Sequence, residues 1–173
     1  YVFFPGCQLG ASDPDYVIKT YEYLLEKCPE TGIIVSCCGI PAEWAGDEPL
    51  VKEKTEKLRN QFEEMGKPAA IMACPTCERM FRKYLPDIEM ISLYDYIDKN
   101  GLPSGHAVGD KVVSVFDPCA SKYDKSMQQS VRNLVEKTGL KNEELPWAGD
   151  TAQCCGNGGH IYSANPDLVN TIA

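Results

Sequence analysis

The sequence predicts an α/β protein with parallel strands, built as two repeated units of which the second is incomplete. Three observations carry this. Short apolar runs alternate with amphipathic helical stretches, the pattern of strand–helix–strand units. Several of the apolar runs end close to a cysteine. The cysteine pattern then recurs in part about 115 residues further on, too long a period for a solenoid and suited to domain duplication.

The elements follow in order. Val2-Phe3-Phe4 is a short strand ending at Cys7. Residues 14–27 put Val17, Tyr21, Leu24 and Leu25 on one helical face, with Asp13 as N-cap and Pro14 at the first helical position. Ile33-Ile34-Val35 is β-branched and leads to Cys37. Residues 48–65 space Leu50, Leu58, Phe62 and Met65 as an amphipathic helix, and its many charges form a solvated face. Residues 69–73 form a strand ending at Cys74, and a short helix then carries Met80, Phe81, Tyr84 and Leu85. Residues 88–93 predict another strand, followed by a helical turn through Tyr94, Tyr96 and Ile97.

The stretch around 101–109, rich in Gly, Pro and Ser, reads as a linker between a first unit, 1–100, and a second, 110–173. Beyond it, residues 112–116 predict a strand leading to Cys119. Residues 126–138 predict a helix closed by Gly139. Residues 144–147 predict a strand, and Asn165-Pro166 opens a last helix. Strand ends that carry cysteines explain why distant segments converge, because sites in open α/β sheets form at the carboxyl edge.

Length and composition bound the function. A chain of 173 residues with 43% hydrophobic and 24% charged residues is that of an ordinary globular protein. A net charge of −8 argues against nucleic acid as a partner. No apolar run is long enough to span a bilayer, and Tyr1-Val2-Phe3-Phe4-Pro5-Gly6 does not read as a secretory signal. The expected location is cytoplasmic, with any membrane association supplied by partner subunits. The first residue is not Met, so a trimmed chain is expected. No H-E-x-x-H and no Ser-His-Asp arrangement is evident.

Nine cysteines are the outlying number. A secreted disulfide framework fits poorly: the count is odd, and Cys37-Cys38 and Cys154-Cys155 are adjacent, which strains a bridge. Metal or cluster ligation fits better. Cys7 is followed by 29 residues, Cys37-Cys38-Gly39, 34 residues and Cys74-Pro75-Thr76-Cys77. Cys119 is followed by 34 residues and Cys154-Cys155-Gly156. Phe4-Pro5-Gly6-Cys7 also matches Phe116-Asp117-Pro118-Cys119. Five thiols exceed the four of a tetrahedral zinc site or a cubane cluster. The spare thiol can bridge metals, stay free or meet substrate. A zinc-stabilised structural or docking module, and a thiol switch acting through Cys37-Cys38 or Cys74 and Cys77, stay open.

The pattern resembles the cysteine-rich CCG domain, found in the catalytic B subunit of heterodisulfide reductase and in iron–sulfur subunits related to that of glycolate oxidase. The resemblance covers one complete motif and about three-fifths of a second. It implies two Rossmann-like parallel-sheet units, the second truncated, with its closing C-x-x-C expected past Ala173. It implies noncubane 4Fe-4S clusters, with zinc replacing one cluster in some relatives. It also implies disulfide reduction or electron transfer within a complex that has flavin or ferredoxin-type iron–sulfur partners, and a disulfide or thiol substrate. By resemblance, Cys7, Cys37, Cys38, Cys74 and Cys77 form the first ligand set, and Cys119, Cys154 and Cys155 part of a second.

Other residues carry weaker signals. Cys28 fits no repeat position and reads as a small apolar filler. Gly39 and Gly156 permit positive φ beside each vicinal pair, and Gly156-Asn157-Gly158-Gly159 could offer backbone N–H groups to sulfur. His160 is the candidate acid for a departing thiolate, since histidine titrates near neutrality; a surface histidine is the bland reading. His106 reads as structural or exposed. Trp44 and Trp147 each lie near a Cys-Cys pair and could shield a cluster or simply pack.

Overall fold

The computed structural model describes residues 1–105, 109 and 111–172. Part of the expected linker, including His106, lies outside them. Strands β1 (Val2–Phe4), β2 (Gly32–Ile33), β3 (Ala70–Met72) and β4 (Met90–Ser92) form a wholly parallel sheet in the order β2-β1-β3-β4. A second parallel sheet pairs β5 (Val112–Val113) with β6 (Lys141–Asn142). The α/β class with parallel sheets is therefore as the sequence predicts.

The first sheet has a core on each face, because successive side chains of a strand point to opposite sides. Val2, Phe4, Ala70 and Met72 pack with α3 (Ile40–Ala45), α4 (Glu48–Glu64) and α5 (Pro75–Tyr84) through Ile40, Leu58, Phe62, Met80 and Phe81. Phe3 and Ile71 pack on the other face with Tyr23 and Leu24 of α2 (Pro14–Lys27) and with Leu93 and Tyr96 of α6 (Leu93–Asn100). Phe3 and Phe4 are fully buried, each contributing roughly 2–3 kcal/mol of apolar transfer energy. Burial on both faces is why β1 reads as an unbroken apolar run rather than an alternating one. Local capping follows the sequence: the Asp13 side chain accepts the Asp15 N–H at 2.9 Å, with Pro14 next.

Two short helices are not anticipated by the sequence and one segment departs from expectation. Cys7 lies in a helix, α1 (Gly6–Ser12). The residues after the first vicinal pair form α3. The strand expected at 144–147 is instead β6, at Lys141–Asn142. Pro146 can donate nothing to a ladder, and the Glu144 carboxylate is taken by Arg132 of α7 (Lys125–Lys137). The helix opened by Asn165-Pro166 is present as α9 (Pro166–Ile172), after a short α8 (Ile161–Ala164). Helices α6 and α7 pack together; there Asn133 donates to Asp98 at 2.8 Å and Ser126 to Asp95 at 3.0 Å. No helix among the described residues is long and apolar enough to cross a membrane.

Candidate metal centre

In the sheet order β2-β1-β3-β4 the chain leaves β1 toward β2 and returns on the far side as β3. The crevice beyond β1 and β3 is thus the topological switch point, where α/β sheets place their sites. Cys7 follows β1, Cys37 and Cys38 follow β2, and Cys74 and Cys77 follow β3.

The five sulfurs are linked pair by pair: Cys7 to Cys37 and Cys38, Cys38 to Cys74 and Cys77, and Cys74 to Cys77. Cys7 meets Cys37, and its thiol is pushed up by loss of water around the sulfur, then by Cys37 and Cys38. Cys38, 1% exposed, is drawn down by donation from the Cys77 thiol, against its own burial. Cys74 is lowered to about 6, first by the Cys77 thiol and then by the backbone N–H groups of Cys77 and Thr76. Cys74 is the N-cap of α5, with Pro75 at its first position, so the positive helix end also favours a thiolate there. Cys77, 3% exposed, is pushed strongly upward by Cys38 and Cys74 and keeps the proton its neighbours share. Burial alone would keep these thiols neutral, so the cluster itself makes thiolates available at neutral pH.

Two glycines make the approach possible. A Cβ at Gly6 would stand 3.1 Å from the Cys77 sulfur, in a residue whose φ is +72°. Gly39 adopts φ +89° and turns its N–H onto Cys37 Sγ at 3.5 Å. The second unit repeats this locally: Gly156 has φ +75° and its N–H meets Cys154 Sγ at 3.4 Å. N–H donation to sulfur is thus present beside both pairs.

The remaining candidates are placed less closely. Cys119, Cys154 and Cys155 are all exposed. The Cys119 turn faces α5 across a cavity of about 240 Å³ lined by Pro75, Glu78, Arg79, Tyr123 and Asp124. His160 sits at φ +63° as the N-cap of α8. Its Nε2 is 2.9 Å from the Pro41 carbonyl, and its ring meets Trp44 edge-on at 5.6 Å. Trp44 and Trp147 are 41% and 59% exposed, so neither is sealed over a sulfur cage. Cys28 caps α2 and is half-buried.

Sequence reasoning passed over Glu78, Asp117 and Arg132. Glu78 is 4% exposed and its Oε1 has no hydrogen-bond partner among the described residues. Its only signal in sequence is a carboxylate adjoining C-x-x-C. Asp117 is 3% exposed and accepts from both terminal nitrogens of Arg132. Its signal was a departure within the repeat, an Asp where the first copy has Pro5.

The donor set fits a thiolate-bound metal group in chemistry: soft sulfurs, partly ionised, with N–H groups turned toward them. Among the described residues no three His, Cys, Asp or Glu side chains stand in the close array of a single bound ion.

Comparison with known proteins agrees with this arrangement. The family model of the CCG cysteine-rich domain matches residues 1–82 and 113–173. The chain is 24% identical to the B subunit of the fumarate reductase (CoM/CoB) of Methanothermobacter marburgensis, over 98% of this chain and 35% of that protein. It is 21% identical to an iron–sulfur protein of Methanocaldococcus jannaschii, over 79% of this chain and 27% of that protein. The chain thus spans about a third of the length of these relatives. No solved structure matches it. The two matched segments and the two runs of cysteines within them make this chain a member of the CCG cysteine-rich domain family.

Proposed function

We propose that this chain is an iron–sulfur redox module of an oxidoreductase complex, in which Cys7, Cys37, Cys38, Cys74 and Cys77 hold a noncubane 4Fe-4S cluster. The carrying observation is the meeting of these five thiols at the switch point of the first sheet. Five linked sulfurs exceed zinc's four ligands, which favours a cluster over zinc. The names of the two relatives, a reductase subunit and an iron–sulfur protein, support the same reading. Such a cluster supplies one-electron chemistry to a disulfide or to a partner subunit.

The chain's own residues do the rest. Cys74 enters as a thiolate and the Cys38 thiol is drawn down by the Cys77 thiol, while Cys77 must lose its proton on ligation, so loading releases protons. Gly39 N–H donates to the Cys37 sulfur, which stabilises charge held there. Cys119, Cys154 and Cys155 supply part of a second ligand set. His160, whose Nε2 lies 2.9 Å from the Pro41 carbonyl, is the proposed proton carrier for a departing thiolate.

The test is anaerobic reconstitution with iron and sulfide, followed by iron, sulfide and zinc analysis per chain. Iron and sulfide bound together, and lost in the Cys37→Ser/Cys38→Ser variant, is the expected result. One zinc per chain without sulfide, or iron unaffected by that variant, overturns the proposal.

A further inference from the structure

The second cysteine set is organised by different means from the first. In the first unit the Cys7 helix is seated by the C-x-x-C helix, since the Gly6 backbone lies directly under the Cys77 sulfur. In the second unit the aligned stretch is Phe116-Asp117-Pro118-Cys119, and an ion pair appears where packing served before. The Arg132 side chain, 15% exposed, donates through both terminal nitrogens to Asp117, at 3.1 and 2.8 Å. The same guanidinium grips the Glu144 carboxylate with Nε and Nη2, and the Gln128 carbonyl at 3.1 Å. Asp117 also accepts the Gly149 N–H at 2.7 Å. Gln128 in turn donates to the Ser121 and Lys122 carbonyls, at 2.9 and 2.7 Å.

One guanidinium therefore joins the turn that carries Cys119, helix α7, and the segment 144–149 that runs into Cys154-Cys155. A buried ion pair of this kind contributes little net stability against an apolar replacement, whereas a bidentate fork fixes geometry. Lysine cannot reproduce it. We propose that Arg132 is the positioning residue of the second cysteine set: through Asp117 and Gly149 it holds the Cys119 turn in register with the Cys154-Cys155 segment before any metal arrives. This rests on the metal-centre reading above.

The test uses the whole chain, metal-free and reduced, with cadmium(II) alone as the thiolate probe. Protection of each cysteine from alkylation is followed by mass spectrometry as cadmium is added. In Arg132→Met, half-protection of Cys119 and of the Cys154-Cys155 peptide is expected to need at least about tenfold more cadmium, the usual loss when an outer support of a metal ligand is removed. The five cysteines of the first unit should keep their wild-type midpoint, and Arg132→Lys should recover only part of the loss. Equal shifts in both sets, full recovery with lysine, or no shift at all would overturn the proposal. If Arg132→Met does not fold, the isosteric Asp117→Asn carries the same comparison with the same outcomes. Failure of cadmium to protect even the first five cysteines would instead sink the metal-centre reading.

Discussion

Glu78 makes metal-free stability fall as pH rises toward neutrality. The residue directly follows Cys77 on α5 and is 4% exposed. Burial, the largest cause, pushes its carboxyl up to about 7 from 4.5; Arg82 opposes this, and Asp124 and Asp95 add to it. Arg82 reaches Glu78 Oε2 at 3.3 Å but is itself 62% exposed, so it only partly offsets the cost. At about 1.4 kcal/mol per pH unit, the gap from 4.5 to about 7 corresponds to about 3 kcal/mol. The direction follows from proton counting. Between those values the folded chain keeps a proton that the unfolded chain has released, so stability drops as pH increases. It is full below 4.5 and is lost by the time pH passes about 7. Glu78→Gln keeps the shape and removes the titration. Urea unfolding of reduced, chelator-treated wild type and variant from pH 4.5 to 7.5 should show the variant's advantage growing by about 3 kcal/mol. The Cys74 thiol acts in the opposite sense, gaining stability as pH rises past about 6, but it is present in both proteins and cancels in the difference. Parallel curves across that range would refute the burial argument.

Two further outcomes follow from the same packing. Phe81 is fully buried and meets Phe4 edge-on at 5.0 Å and Phe62 at 5.7 Å, so Phe81→Ala should cost about 3–5 kcal/mol in urea unfolding; a loss under about 1 kcal/mol would contradict the core described. In the metal-free chain, Cys74 should show half-maximal alkylation near pH 6, well below the roughly 8.5 of a free thiol, and Cys77→Ala, which removes the donor, should raise that midpoint. A Cys74 profile like that of a free thiol, read by peptide mass spectrometry, would remove the case for a preformed thiolate.

What the sequence made legible is what periodicity and repetition encode. The strand at Val2–Phe4 and the helices over α2 and α4 announce themselves by burial pattern, and capping at Asp13 fixes a boundary to the residue. The first five thiols were legible because their spacing, set on a strand–helix alternation, leaves the carboxyl edge of the sheet as their common place. The helices α1 and α3 were not legible. They are short, they begin at glycines with positive φ or directly after them, and tertiary contact with the sulfur-bearing segments decides them, with little weight from propensity. The strand expected at 144–147 failed because an apolar pair, Leu145 and Trp147, resembles alternation while Pro146 forbids the ladder.

The buried charges escaped for a different reason. Asp117, Arg132 and Glu144 are 15 and 12 residues apart in sequence and individually ordinary; only the fold makes them one network. The contrast between the two units is informative in itself. Where a C-x-x-C helix is present, glycine lets backbone and sulfur touch, and the site is held by close approach. In the second unit, where Asp117 stands in place of Pro5, a guanidinium does the holding at a distance from the thiols. Cys38, Cys74 and Cys77, held by close approach, cannot move without disturbing the core, because they pack in one cluster with Phe4 and Phe81. A set held through one exposed-edged ion network can shift when that network is broken, leaving the core of the first sheet intact. The two units thus share one sequence pattern and one local turn, yet differ in what fixes their cysteines: Cys119, Cys154 and Cys155 are all exposed, whereas in the first set only Cys7 is.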